Sequence, residues 1–455
     1  LSLEQSILLK NANLVDVEAS TIYPASVLIE DGIISEVIKG SDHLESLDSS
    51  IPKTIDLTGK WIIPGLIDMH VHIKEKFAPH FVASGITTVR NTGGNVLELK
   101  KLMKAGNTDP TPRVFSADRI IDGPPGLFGE TSPWSINIDD PDMARREVRR
   151  QIEAGADLIK VYGMLSEKIM TAVVQEASKF GIEVSCDLIH AKKVNAVNAA
   201  RMGIKWNEHA SGFIQAMYPQ WNMSAPQHIW QEVDWKKPNL SLIKDVCLEL
   251  LKHDVIICPT MILFDQMDRL PDYWKVDNEI TKKTFQDHPL IGQWEAISQN
   301  IDALKMLGKQ SLINKAIAKT YFELGGTVVA GTDTPAGVWT FPGMALHREL
   351  ELFVKAGFPE MDALRAATII AAESLHEDTR GVIQKGAIAD ILVLNSDPIE
   401  DIKNTKNIDW IIKGGKVYSQ EKILRSIPSE EYINRTLEEF LGEFEETMID
   451  FIVKT

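Results

Sequence analysis

At 455 residues, 44% hydrophobic and 25% charged, the chain has the makings of one large globular domain with a smaller one attached. A formal net charge of −16 leaves no basic patch to neutralise phosphates, so nucleic acid and anionic membranes are excluded as expected partners. No apolar run approaches the ~18 residues of a membrane span. The three cysteines, Cys186, Cys247 and Cys258, have neither zinc-finger spacing nor the pattern of a disulfide framework. The expected partners are a small-molecule substrate and further copies of the chain in a homo-oligomer. The expected location is cytoplasmic, with a removed leader left open because the first residue is Leu1.

In chain order, residues 7–39 alternate short apolar runs with turns. Asp31-Gly32, between Val27–Glu30 and Ile33–Ile38, is a hairpin signal. Ile51–Leu57 predicts a further strand. A matching piece lies near the other end: Ala389–Leu394, then Ile408–Lys413, then a turn at Gly414-Gly415 into Lys416–Tyr418. Neither piece is long enough to close a core alone. Together they predict a small antiparallel β-sandwich built from residues 1–60 and 379–425, followed by a helical tail over 426–455.

Residues 61–378 lie between these pieces, a length that fits a (β/α)8 TIM barrel with insertions. The first strand is expected over Trp61–Ile67, ending in Asp68-Met69-His70-Val71-His72. The others are expected at Gly85–Arg90, Arg113–Ala117, Asp157–Tyr162, Ile182–Asp187, Ile204–His209, Val255–Thr260 and Thr327–Asp333. Helical patterns separate several of them: Met143–Ala154, Glu167–Phe180, Lys192–Met202, Leu242–Lys252 and Leu312–Leu324. Strands alternating with helices of this length predict βα units and a parallel sheet, hence an α/β fold.

Polar residues collect at the C-terminal ends of these strands, the face where barrels carry their chemistry. His70 and His72 share a strand face and can aim at one point. Lys160 sits in an otherwise apolar fourth strand. Asp187 and His190 follow the fifth strand, His209 the sixth and Asp333 the eighth. Each alone has an ordinary structural explanation, such as a snorkelling lysine or a helix cap. Gathered at one end of one barrel, they predict a metal site.

These residues carry a family resemblance. Pro64-Gly65-Leu66-Ile67-Asp68-Met69-His70-Val71-His72, Gly155–Lys160, Asn207-Glu208-His209, Ala330-Gly331-Thr332-Asp333 and Gly386–Asp390 together resemble the amidohydrolase superfamily, nearly end to end. Within it, the similarity is to the imidazolonepropionase and Xaa-Pro dipeptidase (prolidase-like) group. The resemblance implies that His70 and His72 bind the more buried metal. Lys160 would carry a carbamate bridging two ions, and His209 would bind the second. Asp333 would bind the first and act as the catalytic base. An unmodified lysine is a cation and a poor ligand, whereas its carbamate is an anion with two oxygens. Ligands of nitrogen and oxygen suit zinc, one or two ions per chain, which would activate water and polarise a substrate carbonyl.

The chain departs from this pattern at the fifth strand, where the group has histidine and this sequence has Asp187. Asp187 ligates in its place, or His190 does so from the loop, or the outer site is weak and one ion suffices. Substrate contacts are expected from Tyr162, Tyr218, Trp221 and Arg90, with Arg119 and Arg348 as further candidates for a substrate carboxylate. Aromatic residues also mark the segments after the third strand (Phe128, Trp134) and the seventh (Phe264, Tyr273, Trp274, Trp294). The expected reaction is metal-dependent hydrolysis of an amide or peptide C–N bond, in a dipeptide or an N-acyl amino acid. A cyclic amide, carbamate or urea is the alternative substrate, and a non-catalytic barrel relative is the alternative class.

Overall fold

Both chain ends meet in one sheet. The computed structural model describes residues 6–40, 51 and 53–454. From the N-terminal part come β1 (Ile7–Asp16), β2 (Thr21–Glu30), β3 (Ile33–Lys39), β4 (Lys53–Asp56) and β5 (Trp61–Pro64). Pro52, inside the strand expected over Ile51–Leu57, lies outside the described residues. Strands Ile391–Leu394, Ile408–Lys413 and Lys416–Tyr418 complete an eight-stranded sheet, in which Ile391–Leu394 pairs with β5. Both expected hairpins are present. Asp31 and Gly32 have φ of 49° and 80°, and Gly414 and Gly415 have 54° and 82°, the left-handed pairs that a two-residue hairpin turn demands.

The sheet is mixed where an all-antiparallel one was expected, because β4 and β5 both run parallel to β1. The pairing makes a single sheet with apolar residues on both faces. Leu8, Leu28, Ile38 and Ile51 form a small cluster, while Leu9, Val27 and Ile29, the alternate positions, join the main core.

Gly65 is where the chain leaves this sheet. The run Trp61–Ile67, expected as one strand, is two: β5, and β6 (Leu66–Val71), which carries His70. The Gly65 N–H donates to Asp390 O at 2.8 Å and the next N–H, of Leu66, to Gly85 O at 2.9 Å, so one residue spans two sheets. A Cβ at Gly65 would stand 2.1 Å from Thr87 Oγ1, which is why only glycine fits.

β6, β7 (Ile86–Asn91) and β8 (Arg113–Ser116) form a three-stranded parallel sheet. A second, seven-stranded parallel sheet contains β9 (Ile120–Asp122), β10 (Ser135–Asn137), β11 (Ile159–Tyr162), β12 (Val184–Asp187), β13 (Trp206–Glu208), β14 (Ile256–Cys258) and β15 (Thr327–Val328). Single parallel bridges link the two sheets, Ala117 to Leu158 at one side and Val71 to Thr334 at the other. β9 and β10 were not anticipated. The eighth expected strand pairs regularly only over Thr327–Val328. Its continuation instead bonds singly to β6, with the Met69 N–H donating to Ala330 O and the His72 N–H to Thr334 O.

Helices between the strands start where a polar side chain caps them. Asp140, Ser166, Asn195 and Asn239 accept from the third helical N–H of helices Pro141–Glu153, Glu167–Ser178, Ala196–Met202 and Leu240–Leu251. The strands face these helices with alternate residues: Ile159, Val161, Val184 and Cys186 pack with Val148, Ile169 and Val173. The other faces of the same strands carry Lys160 and Ser185, as those of β6, β7 and β13 carry Asp68, His70, Arg90 and Glu208, all buried. The faces turned away from the helices thus hold these polar residues, with Trp206 and Cys258 among them. A 25-residue helix, Glu430–Lys454, ends the chain, with Phe440 packed on Trp134 at 6.0 Å between ring centroids.

Candidate metal centre and cavity

His70 and His72 do converge, with Asp333 between them. One ligand atom from each of the three lies within 4.8 Å of the others. His70 Nε2 is 3.1 Å and His72 Nε2 3.0 Å from Asp333 Oδ1. The far side of each ring is fixed. His70 Nδ1 bonds Glu208 Oε2 at 2.6 Å, and His72 Nδ1 donates to the Gly93 carbonyl at 2.9 Å. His209 repeats the pattern, with Nδ1 on Thr260 Oγ1 at 2.6 Å and Nε2 3.3 Å from Asp187 Oδ2. In all three rings an outer partner holds Nδ1 and leaves Nε2 for the site, the usual arrangement around a metal ligand.

Glu208 is the residue that sequence reasoning missed. It is fully buried and also accepts from Arg90 Nη2 at 2.5 Å and Ser185 Oγ at 2.6 Å. Burial works against its charge, but Arg90 and His70 hold its carboxyl well below the usual range. His70, Glu208 and Cys258 form a second cluster with possible ligand atoms, but the Arg90 guanidinium already supplies the cation there. Because Glu208 faces inward, strict strand alternation would aim His209 at the helices. His209 instead takes a left-handed φ of 65°, which turns it back over the site. Thr260 and Asp333 are likewise left-handed, at 45° and 59°. Three non-glycine residues in that region at three strand ends mark strain of the kind found at functional sites.

Burial alone would raise the Asp333 carboxyl, but His70, His72 and His209 hold it far below the ordinary carboxylate range. It is therefore ionised, as a metal ligand must be. Lys160 is 0% exposed and its Nζ has no hydrogen-bond partner. It lies 5.5 Å over the Tyr162 ring. The ring nitrogens of His70 and His72 and the ionised Asp333 fit a divalent ion; His209 and Asp187, 3.3 Å apart, stand outside that cluster, and Lys160 would join as a ligand only as an anion. Asp187 and His209 face each other, and burial of the Asp187 carboxylate is outweighed by His209, which lowers it. His190 lines the cavity above but belongs to neither three-ligand cluster found among the described residues.

That cavity, about 740 Å³, opens over His72, Asp187, His209 and Asp333. Tyr162 lines it, with Phe128 5.4 Å away between ring centroids, and so do Trp134, Phe264 and Met267. Other expected contacts lie elsewhere. Trp221 is buried against Trp230 and Trp235, at 5.2 and 5.8 Å, and Tyr218 packs at the edge of the same core. Tyr273 stacks on Trp339 at 4.1 Å, Trp274 packs against Phe341, and Trp294 bonds Pro335 O. The three arginines are all consumed by buried carboxylates: Arg90 by Glu208, Arg119 by Glu147, and Arg348 by Asp265 and Glu351. Arg90 also lies 3.9 Å over the Trp206 ring, beneath the site and out of the cavity.

Among the described residues no helix is long and apolar enough to cross a membrane. Residues 61–418 match the model of the amidohydrolase family. A dihydroorotase of Carboxydothermus hydrogenoformans is 38% identical over 108 residues, which is 23% of this chain and 23% of that protein, so the likeness spans about a quarter of its length. The ochratoxinase of Aspergillus niger is 23% identical over 87% of this chain and 82% of its own. Among solved structures, a Xaa-Pro dipeptidase superposes with a TM-score of 0.64 at 22% identity, over 91% of this chain and 99% of that one. With the match covering most of its length, the chain belongs to the amidohydrolase family.

Proposed function

We propose that the protein is a metal-dependent hydrolase of an amide C–N bond in a small, partly apolar substrate, such as a dipeptide or an N-acyl amino acid. One observation carries this reading: His70 Nε2, His72 Nε2 and Asp333 Oδ1 converge at the floor of a cavity with apolar walls. His70, His72 and Asp333 would hold one ion. Lys160, as its carbamate, would bridge to a second held by His209 and Asp187, with His190 as the alternative ligand. Zinc suits this donor set. When bound, divalent ions supply Lewis acidity toward a carbonyl and lower the pKa of water.

The chain's own groups supply the rest. Asp333, ionised at neutral pH, takes a proton at its carboxylate and returns it to the departing nitrogen. Glu208 and Thr260 hold the tautomers of His70 and His209. The apolar cavity excludes water and orients the substrate. In this reading the two parallel sheets close as a (β/α)8 barrel over residues 61–378, bridged at Ala117–Leu158 and Val71–Thr334. The end sheet curls as a sandwich beside it.

A cyclic amide or carbamate is the second reading, favoured by the dihydroorotase likeness. The test is a panel of dipeptides, N-acyl amino acids, cyclic amides and carbamates, assayed with protein reconstituted in zinc and bicarbonate. Release of amine from open-chain amides supports the first reading. Turnover of cyclic amides or carbamates alone supports the second. No turnover of any class, with metal bound, contradicts both.

A further inference from the structure

Cavities that hold a free carboxylate present a cation to it, usually a bidentate arginine. Here every candidate arginine is already paired below or behind the cavity. Among the described residues, the lysine on the cavity wall is Lys74, and it is occupied too. Its Nζ bonds Glu98 Oε2 at 2.5 Å and lies 5.0 Å over the Trp134 ring. Asp187 and Asp333 give the floor two carboxylates of its own. A carboxylate on the substrate would lie beside these acids and the aromatic rings, with no unpaired lysine or arginine and only such groups as the His190 imidazole to meet it.

The wall has the opposite preference. Phe128 is 58% exposed and Leu127 38%, although both border the cavity. A tight turn holds them there: Gly126 has φ 78°, the Leu127 N–H donates to Asp122, and Asn137 Nδ2 donates to the Pro125 and Gly129 carbonyls. Phe128, Tyr162 and Trp134 on one side and Phe264 and Met267 on another leave apolar surface that only an apolar group would cover.

We propose that the site selects uncharged aryl or arylalkyl amides, with the aromatic group held under Phe128, and discriminates against substrates that end in a free carboxylate. This rests on the hydrolase reading above and narrows it: of the amides named there, dipeptides and N-acyl amino acids with a free carboxylate would be the poorer substrates, and their neutral counterparts the better ones. Water adds across the C–N bond: the carbonyl carbon keeps the oxygen, and the leaving nitrogen takes the proton.

A matched set of probes tests it on the metal-loaded enzyme: N-acetyl-phenylalaninamide, N-acetyl-phenylalanine and N-acetyl-alaninamide. Each is followed by calorimetric Kd and by release of amine from the acetyl group. The expected result is that the neutral aromatic probe binds about tenfold or more tighter than either partner, since one lacks the ring and the other adds an unpaired charge. Phe128→Ala should erase most of the advantage over the alanine probe. Equal or tighter binding of N-acetyl-phenylalanine overturns the proposal, as does a neutral aromatic probe no better than the alanine one. If the neutral probe binds preferentially but is never cleaved, the pocket assignment stands and the hydrolase reading fails.

Discussion

Glu208 and Glu147 show what single buried carboxylates do here. Glu208 joins His70, Arg90 and Ser185, so it sets the direction of the His70 ring, whose other nitrogen is the one proposed to bind metal. Glu208→Gln should lower metal affinity about 10–100-fold, read by chelator competition, while far-UV circular dichroism stays unchanged. Unaltered affinity would show that His70 needs no such support. Glu147 binds both Arg119 and Arg150 on the helix Pro141–Glu153. Burial pushes its carboxyl up from 4.5, but the two guanidiniums bring it down to about 2. A lowered carboxylate stabilises the fold above its unfolded value and loses that contribution as pH falls through its folded one. Glu147→Gln should therefore cost about 3–5 kcal/mol at neutral pH, because Arg119 loses its carboxylate and Arg150 keeps only Asp118. In chemical denaturation, the gap to wild type should narrow from pH 4.5 toward about 2. A gap independent of pH would refute the assignment.

Among the elements, β6 was legible and its start was not. The spacing of His70 and His72 announces a strand end. Yet hydropathy runs unbroken from Trp61 to Ile67, so nothing in it marks the change of sheet at Gly65. The sign was the glycine itself, beside a proline. Gly65→Ala should cost about 1–3 kcal/mol in thermal unfolding, since Thr87 must yield. A wild-type melting temperature would mean that the two sheets can part freely. Glu208 was illegible for a different reason: strand alternation assigns the inward place to either Glu208 or His209, and only the left-handed turn at His209 gives both a role. Tyr218 and Trp221 after β13 read as substrate contacts, but Trp221 packs its ring against Trp230 and Trp235 instead. The terminal helix Glu430–Lys454 bears on the cavity through Phe440, which backs Trp134. Phe440→Ala should loosen that wall and raise KM several-fold with little change in kcat. An unchanged KM would leave the helix a purely structural role.

Over the whole molecule, the sequence carried the parallel α/β plan because strands and helices alternate at distinct periods, and it carried the union of the chain ends because neither end could bury its own apolar face. It could not carry the pairing of Arg90 with Glu208, Arg119 with Glu147 and Arg348 with Asp265, which lie 118, 28 and 83 residues apart in the chain; only Glu351, three residues after Arg348, was close. In the substrate class proposed above, those pairings separate a cavity for carboxylates from one for neutral apolar groups. In the proposed function the chemistry falls to the floor, to His70, His72 and Asp333 with His209 and Lys160 beside them. The most direct test of that centre is elemental metal analysis of protein reconstituted in zinc and bicarbonate, wild type beside His70→Ala, both checked for native circular dichroism. The account predicts about one to two ions per chain in wild type and loss of most of them in the variant. Equal metal content in the two folded proteins, or none in wild type, would contradict it.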